Sequence, residues 1–435
     1  MADVRTRLQF SIVNSSIKRD LRFAATPRAG STLRYDRLSL SGLGDLKMRN
    51  STHTTRVFLI SAVIFAAMLS VAIAADPDEI RIGYTAPFTG TAAEYGNNGW
   101  RGILLALEDL NKKGISIGGK PHKIRIYKYD SVCTPDEGIS NVHKMVSEDK
   151  VVAILGDHCS TVCSVIAPLC DQYQIPGITI ECAVDSVTNP GHEFYFRMRP
   201  TVKMMIPAVM PKIFKAFDAR TAAFLVIDDG YGELFISAAG NELEWRDVKT
   251  VAVEKYKRGS TNYREQLQRI KHAKPDIVFY AGTASEGAVI LTQAKLMGMM
   301  PRTKFIGSEE MGEMGLPMLA GPDAVEGTYA ISLWGKVPPE FAERVRKSFN
   351  KPMHYAIIFG YDAMHILAVA IESAQSLNPI KIKDALKKID YSALEGQVRF
   401  KNFDGYKNQS KFTPSMIRWK NGKREHLDIF LDWEG

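Results

Sequence analysis

The sequence lacks the motifs that mark the common enzyme classes. Its 435 residues contain no Gly-x-Ser-x-Gly elbow, no His-Glu-x-x-His pair and no phosphate-binding loop. They also contain no low-complexity linker and no repeat of 20–50 residues, which excludes solenoids and arrays. We therefore expect no catalytic activity, no cofactor and no metal.

Most of the chain carries almost no excess of basic over acidic charge. The whole chain has a net charge of +8, but residues 1–75 hold 11 Lys/Arg and 4 Asp/Glu. The remaining 360 residues hold 45 basic and 44 acidic groups. A high isoelectric point usually suggests nucleic-acid binding, but here the excess lies in one terminal segment. We expect no nucleic-acid partner.

That terminal segment has the features of a secretory signal. Basic Arg49 and Arg56 precede an apolar run from Val57 to Ala74, which ends in small residues. This order predicts a signal peptide at residues 48–75, cleaved near Ala74, and a periplasmic location. A membrane anchor is the alternative, because the run nearly spans a bilayer. Residues 1–47 are interpreted as a mis-assigned or disordered extension before a start at Met48.

Strand-like and helix-like segments alternate from Ile80 onward. Strand Ile80–Thr85 precedes helix Gly99–Lys112, in which apolar residues recur at helical spacing: Trp100, Ile103, Leu104, Leu107 and Leu110. A second series runs from helix Met204–Ala216 to strand Lys304–Ile306. Such alternation predicts parallel sheets, and 360 residues suffice for two cores. We predict an α/β fold of two doubly wound parallel-sheet lobes joined by a multi-crossing hinge. The expected lobes are residues 76–198 plus 333–413 and residues 199–332 plus 414–435.

Short motifs then point to a family. They are Ile80-Arg81-Ile82-Gly83, Pro87-Phe88-Thr89-Gly90, Lys128-Tyr129-Asp130, Gly156-x-x-Cys159-Ser160, Asp229-x-Tyr231-Gly232-Glu233 and Gly307-x-Glu309. In this order the chain resembles the branched-chain amino-acid-binding proteins of bacterial ABC importers, from about Ile80 to Trp419. The resemblance implies a type I periplasmic binding protein fold. It also implies capture of an amino acid or a related amine or amide by cleft closure, with a membrane permease as partner and a monomeric state.

The resemblance also implies roles for individual residues. A zwitterionic ligand needs donors for its carboxylate, and Ser160 and Thr161 open a helix where free N–H groups suit an anion. Ser160 can equally serve as a simple helix cap. Glu309 matches the ammonium-binding acid of the family, with Glu310 beside it as the rival. Tyr95 and Tyr231 match aromatic residues that line the family's pocket.

Three further positions near the expected site depart from the family pattern. Glu181 and Ala183 lie where relatives have small residues and a threonine, so Ala183 supplies no hydroxyl and Glu181 adds negative charge. Either the ligand carries extra positive charge or amide donors, or Glu181 turns away to pair with a basic residue. Thr283 replaces a bulky aromatic of some relatives and suggests a roomier pocket.

All five cysteines fall between residues 133 and 182. The resemblance implies a disulfide between Cys133 and Cys159. A second disulfide between Cys163 and Cys182 is one possibility, with Cys170 as a buried thiol, and the pairing of these three stays open. The spacing of His158, Cys159 and Cys163 lacks the second half of a zinc site.

Other functions share the predicted fold. A ligand-sensing periplasmic module that feeds a receptor, binding an aromatic acid or an amide, is the main alternative. A sugar-responsive repressor is a second, but no DNA-binding helix pair precedes the lobes.

Overall fold

The computed structural model describes residues 79–427 except Lys336, Glu395 and residues 412–413. The extension at residues 1–47 and the signal peptide at residues 48–75 lie outside the described residues and stay predictions.

Strands alternate with helices along most of the described chain. The strands are β1 (Glu79–Ala86), β2 (Ile115–Ile117), β3 (Lys120–Asp130), β4 (Ala153–Leu155), β5 (Gly177–Thr179), β6 (Tyr195–Arg197), β7 (Thr221–Ile227), β8 (Lys249–Tyr256), β9 (Ile277–Ala281), β10 (Lys304–Gly307), β11 (Tyr329–Ser332), β12 (Tyr391–Ala393), β13 (Gly396–Val398), β14 (Lys401–Phe403), β15 (Tyr406–Gln409), β16 (Ser415–Lys420) and β17 (Lys423–His426).

Most of the helices connect successive parallel strands. The helices are α1 (Ala93–Lys113), α2 (Pro135–Ser147), α3 (Ser160–Tyr173), α4 (Val202–Ala216), α5 (Gly230–Trp245), α6 (Arg264–Ala273), α7 (Ala284–Leu296), α8 (Leu316–Ala320), α9 (Pro322–Val325), α10 (Pro339–Phe349), α11 (Tyr355–Ala374) and α12 (Pro379–Leu386). Two single 3₁₀ turns cover Asp185–Val187 and Glu309–Gly312.

The strands form two large sheets with the same central order. The first sheet runs β14-β15-β6-β5-β4-β1-β3-β2 and the second runs β17-β16-β11-β10-β9-β7-β8. Pairing is parallel through the centre of both sheets and antiparallel only at their edges. In each sheet the order reverses next to the first strand of the series, so β1 and β7 mark the two switch points. The predicted fold class is confirmed.

The chain crosses between the sheets three times. It passes from β6 to α4, from β11 to the helices α10 and α11, and from β15 to β16. Helices α10 and α11 return to the first sheet, where Arg344 of α10 pairs with Asp109 of α1 at 2.6 Å. The lobe boundaries at residues 198, 332 and 413 stay a prediction.

Helix α1 packs on α11 through glycine rather than through leucine. A Cβ on Gly102 would lie 2.0 Å from the carbonyl oxygen of Ile357, and one on Gly360 would lie 2.3 Å from that of Gly99. Leu104, which helical spacing placed on the buried face, is instead exposed. The two helix backbones touch directly, and this contact leaves no room for a larger side chain.

Helix α11 is the one helix of the described ranges that is long and apolar enough to cross a membrane. Most of it is buried within the protein, with Ile357, Phe359, Ile366 and Ile371 fully enclosed. The apolar composition is therefore that of a core helix.

Replacing Gly102 by Ala should destabilise the fold by about 1–3 kcal/mol, because the added methyl group collides with backbone that has little room to move. Replacing Gly240 in α5 is the matched control, since nothing lies within 4 Å of its Cβ position. Alanine there should stabilise the protein by about 0.5–1 kcal/mol. Urea unfolding of both variants makes the comparison, and a Gly102→Ala protein as stable as wild type would contradict the close contact.

Candidate functional site

A cavity lies between the two sheets, beyond the carboxyl ends of their parallel strands. Open α/β sheets bind ligands at this edge, near the point where the strand order reverses. The cavity is lined from the side of the first sheet by Tyr95, Cys133, His158, Cys159, Ser160, Thr161, Glu181, Ala183 and Tyr355, and from the side of the second sheet by Ile227, Asp229, Tyr231, Arg258, Gly282, Glu309 and Glu310, with Arg199 at the crossing between them. Both sheets contribute residues to one cavity.

The cavity has the size of a small organic molecule. The centre of a water-sized sphere can occupy about 70 Å³ of it. One water needs about 10–15 Å³ on this measure, so the space holds roughly five to seven waters. A peptide or an oligosaccharide is too large for it.

The start of helix α3 forms one wall. The Asp157 carboxylate accepts the backbone N–H groups of His158 at 2.6 Å and Cys159 at 2.8 Å, which fixes the turn after β4. The helix then begins at Ser160, with Ser160 half-buried and Thr161 exposed. Its first N–H groups have no partner within the helix, and the helix dipole adds positive potential there. This wall can accept an anion.

Glu309 lies opposite and is already engaged by two donors. Arg199 donates to its Oε1 at 2.8 Å, and the Tyr231 hydroxyl donates to its Oε2 at 2.8 Å. Arg199 also donates to the backbone oxygen of Glu181 at 2.9 Å, so one guanidinium joins elements that follow β5 and β10. Burial opposes the charge of Arg199, but the Glu309 carboxylate outweighs it and raises the pKa of Arg199.

Glu181 lines the cavity, and one of its carboxylate oxygens lies against His158. Its Oε2 lies 3.0 Å from His158 Nδ1, and His158 Nε2 lies 2.7 Å from the Tyr84 hydroxyl. The other carboxylate oxygen, Oε1, is buried and has no hydrogen-bond partner among the described residues. The sequence left open whether Glu181 would turn away to pair with Arg or Lys. In the structure its neighbour is a histidine instead.

Glu310 is the second acid with a free oxygen. Its Oε1 accepts the Tyr355 hydroxyl, while Oε2 lies 3.6 Å from His354 Nε2 and lacks a hydrogen bond among the described residues. Burial raises the pKa of Glu310 to about 8, and the nearby Glu181 carboxylate adds to the rise. His354 opposes that rise: burial disfavours the charge of its ring, but the carboxylates of Glu313 and Glu310 outweigh burial and raise the pKa of His354 to about 10.

Asp229 and Arg258 form a separate pair at the rim. Asp229 caps helix α5 by accepting the N–H groups of Tyr231 and Gly232 at 2.9 and 3.1 Å. Arg258 donates to its other oxygen at 2.5 Å. The two charges are thus paired with each other, while Arg258 Nη1 is buried without a hydrogen-bond partner among the described residues.

Seven of the eight ligand-binding residues expected from the sequence line the cavity, and Thr283 does not. Thr283 caps helix α7: its hydroxyl accepts the Glu286 N–H at 3.2 Å, and its own N–H donates to the Glu286 carboxylate at 2.9 Å. Its predecessor Gly282 reaches the cavity instead. Arg199, Arg258 and Tyr355 were not predicted. The arginines follow β6 and β8, so the strand-end rule alone would have picked them out, whereas Tyr355 begins a helix that the alternation did not predict.

The cysteines divide into a pair and three thiols. The Sγ atoms of Cys133 and Cys159 lie 2.07 Å apart at the edge of the cavity. The remaining cysteines are buried and free, so the second disulfide considered between Cys163 and Cys182 is not formed. Cys163 instead donates to the backbone oxygen of Asp157 at 3.2 Å. Within the described ranges no group of three potential metal ligands occurs.

Residues 79–420 match the sequence profile of a family described as periplasmic binding protein. The chain belongs to the periplasmic binding protein family. Its resemblance to branched-chain amino-acid-binding proteins is confirmed by a Pseudomonas aeruginosa relative, a leucine-, isoleucine-, valine-, threonine- and alanine-binding protein. That relative is 28% identical over 364 residues, covering 80% of this chain and 93% of its own length.

Solved structures of other members share the fold of this periplasmic binding protein. A branched-chain amino acid transporter substrate-binding protein of Streptococcus pneumoniae, in complex with isoleucine, aligns with a TM-score of 0.70 at 22% identity, covering 81% of this chain and 100% of the other. A solute-binding protein of Rhodopseudomonas palustris, in complex with 3,4-dihydroxybenzoic acid, aligns with a TM-score of 0.72 at 20% identity, covering 82% and 98%. At these identities the likeness shows the fold.

Replacing Arg199 by Met should cost about 3–5 kcal/mol of unfolding free energy, because Glu309 then stays buried without its cation. Adding Glu309→Gln in the same chain should recover part of that loss. Urea unfolding of the two single variants and the double variant measures the coupling. A loss below about 1 kcal/mol for Arg199→Met would put the pair in the range of exposed ion pairs and contradict this interpretation.

Proposed function

We propose that this periplasmic binding protein is the solute-binding component of an ABC importer, and that it captures an amino acid or a related small amine or amide. The observation that carries the proposal is the cavity, which places a helix N-terminus opposite buried carboxylates. A zwitterionic molecule needs this pairing of an anion site with a cation site. Capture requires no bond to be made or broken, and the relatives found are binding proteins.

The ligand carboxylate is assigned to the first turn of α3. The N–H groups of that turn and the Ser160 hydroxyl supply donors, and the dipole favours negative charge. Thr161 stands at the rim of the same turn.

The ligand ammonium is assigned to the side of the cavity formed by Glu309 and Tyr231. Each Glu309 oxygen accepts one hydrogen bond and retains a second acceptor site. Tyr95, from α1, covers the ligand between the two walls.

Closure follows from the origin of the lining. We assign residues 76–198 plus 333–413 to one lobe and 199–332 plus 414–435 to the other, with the three crossings as hinge. A ligand that contacts both walls shifts an open–closed equilibrium toward the closed form. The closed monomer then docks on a membrane permease. Export by the signal peptide places the chain in the periplasm, where Cys133 and Cys159 are held as a disulfide.

A sensory role with an aromatic acid as ligand is the second candidate. Three tyrosines, Tyr95, Tyr231 and Tyr355, line the cavity, and the Rhodopseudomonas palustris structure contains a benzoic acid. An aromatic acid, however, has a carboxylate but no cation for the buried acids. The amino-acid ligand therefore fits this site better.

An amino acid that binds should raise the melting temperature, because it stabilises the folded state by about 2.7 kcal/mol at a free concentration 100 times its Kd. A thermal-shift screen of amino acids, their amides and benzoic acids measures this. If benzoic acids alone shift the transition, the second candidate replaces the first. If no compound shifts it, the capture of small solutes is refuted.

Replacing Ser160 by Ala should weaken the best amino-acid ligand about tenfold, since one hydrogen bond to a charged group contributes about 1.5–3 kcal/mol and the N–H groups remain. Isothermal titration calorimetry gives the Kd. Ser164→Ala is the matched control, because Ser164 lies one turn along α3 and does not line the cavity. Equal affinities of the two variants would move the carboxylate away from α3.

A further inference from the structure

We propose that Glu181 and Glu310, which line the same cavity from the first and the second sheet, form a second nitrogen-binding subsite that selects a ligand with an additional cationic amine. This inference rests on the proposed function and specifies its ligand class: a short diamino acid, not an aliphatic amino acid.

Acidic side chains outnumber guanidinium groups around the cavity. Four carboxyl groups line it, those of Glu181, Asp229, Glu309 and Glu310, against two guanidinium groups, those of Arg199 and Arg258. Each guanidinium is already paired, Arg199 with Glu309 and Arg258 with Asp229. Of the two remaining acids, Glu310 lies 3.6 Å from His354, whose pKa is raised to about 10, whereas Glu181 has only the His158 ring beside it. The excess of acidic over basic groups therefore centres on Glu181.

Both remaining acids leave one oxygen unused. Glu181 Oε1 and Glu310 Oε2 are buried, yet neither has a hydrogen-bond partner among the described residues. The side chains of both acids are at least 96% buried. A buried carboxylate oxygen without a donor is costly, so each such oxygen needs a group that arrives with the ligand.

The two acids are held in place on their outer sides. His158 lies against Glu181 Oε2 and is itself in contact with Tyr84, while Tyr355 donates to Glu310 Oε1. Each carboxyl group therefore has one oxygen against a neighbouring side chain and one buried oxygen without a hydrogen bond. Such prior placement lowers the cost of ordering the site when a ligand binds.

The two acids also act on each other. The Glu181 carboxylate adds to the effect of burial in raising the pKa of Glu310 to about 8. A cation that contacts both carboxyl groups offsets this mutual effect. A neutral amide donates hydrogen bonds but cancels no charge, so an ammonium group satisfies this pair better.

The size of the cavity limits the length of the ligand. Space for roughly five to seven waters suits a chain with the amine two or three carbons beyond the α-carbon. We therefore expect 2,4-diaminobutyrate or ornithine to fit. Norvaline and norleucine are their matched aliphatic partners, because each replaces the terminal nitrogen by carbon at the same number of non-hydrogen atoms.

The test is calorimetric titration of the purified protein with 2,4-diaminobutyrate, norvaline, ornithine, norleucine and asparagine. At least one diamino acid should bind ten times or more tighter than its aliphatic partner and tighter than asparagine. If both aliphatic partners bind as tightly as the diamino acids, or asparagine binds tightest, the cation subsite is overturned while amino-acid capture stands. If none of the five binds and no compound of the thermal-shift screen does either, the proposed function fails as well.

The variant Glu181→Gln locates the subsite. It keeps the shape of the side chain and removes the charge, so the preference for the diamino acid over its aliphatic partner should fall below threefold. Glu286→Gln is the matched control, since Glu286 is a buried acid outside the lining, and its capping-box position accepts glutamine. An unchanged preference in Glu181→Gln, or an equal fall in both variants, would overturn the assignment to Glu181.

Discussion

The ion pair between Arg199 and Glu309 lies where the chain first leaves one sheet for the other, and the cavity is organised around it. Arg199 holds the carbonyl of Glu181 with one nitrogen and the carboxylate of Glu309 with another. The two walls therefore share a fixed point next to a crossing. Each Glu309 oxygen accepts one hydrogen bond, from Arg199 or Tyr231, and keeps one acceptor site for a ligand.

Two other acids of the cavity separate this protein from a simple aliphatic binder. Apolar side chains in a pocket need only apolar surface, whereas Glu181 and Glu310 are buried with unused oxygens. Burying a charged group is costly unless an oppositely charged or hydrogen-bonding partner lies beside it. The fold is that of the family, and the acids that distinguish the cavity lie in turns that follow the strands.

The fold could be predicted from the sequence because it depends on repeated local signals. Buried strands such as β7 and β9 are short apolar runs, and each is followed by a helix of ordinary length. The helices α10 to α12 were not predicted, because they break the alternation and return to the first sheet over a long sequence separation. The exposure of Leu104 was mispredicted for a related reason: periodicity counts apolar residues, but glycine made the contact.

The location of the candidate site could be predicted from the sequence better than the contacts within it. Parallel strands end at one edge, so residues after them, such as Ser160 and Glu309, were expected to meet. Which acid pairs with which base depends on distances across the cleft, and sequence order does not encode them. Thr283 shows the limit, because its neighbour Gly282 lines the cavity while the Thr283 side chain caps a helix.

The placement of the ligand contacts on turns beyond the strands has an evolutionary consequence. A substitution at residue 181 alters what the cavity recognises without repacking β5, whose side chains are all buried. Specificity and architecture are thus inherited through different parts of the gene. A lineage that carries this fold can change the solute that the protein binds by point mutation while the fold stays the same.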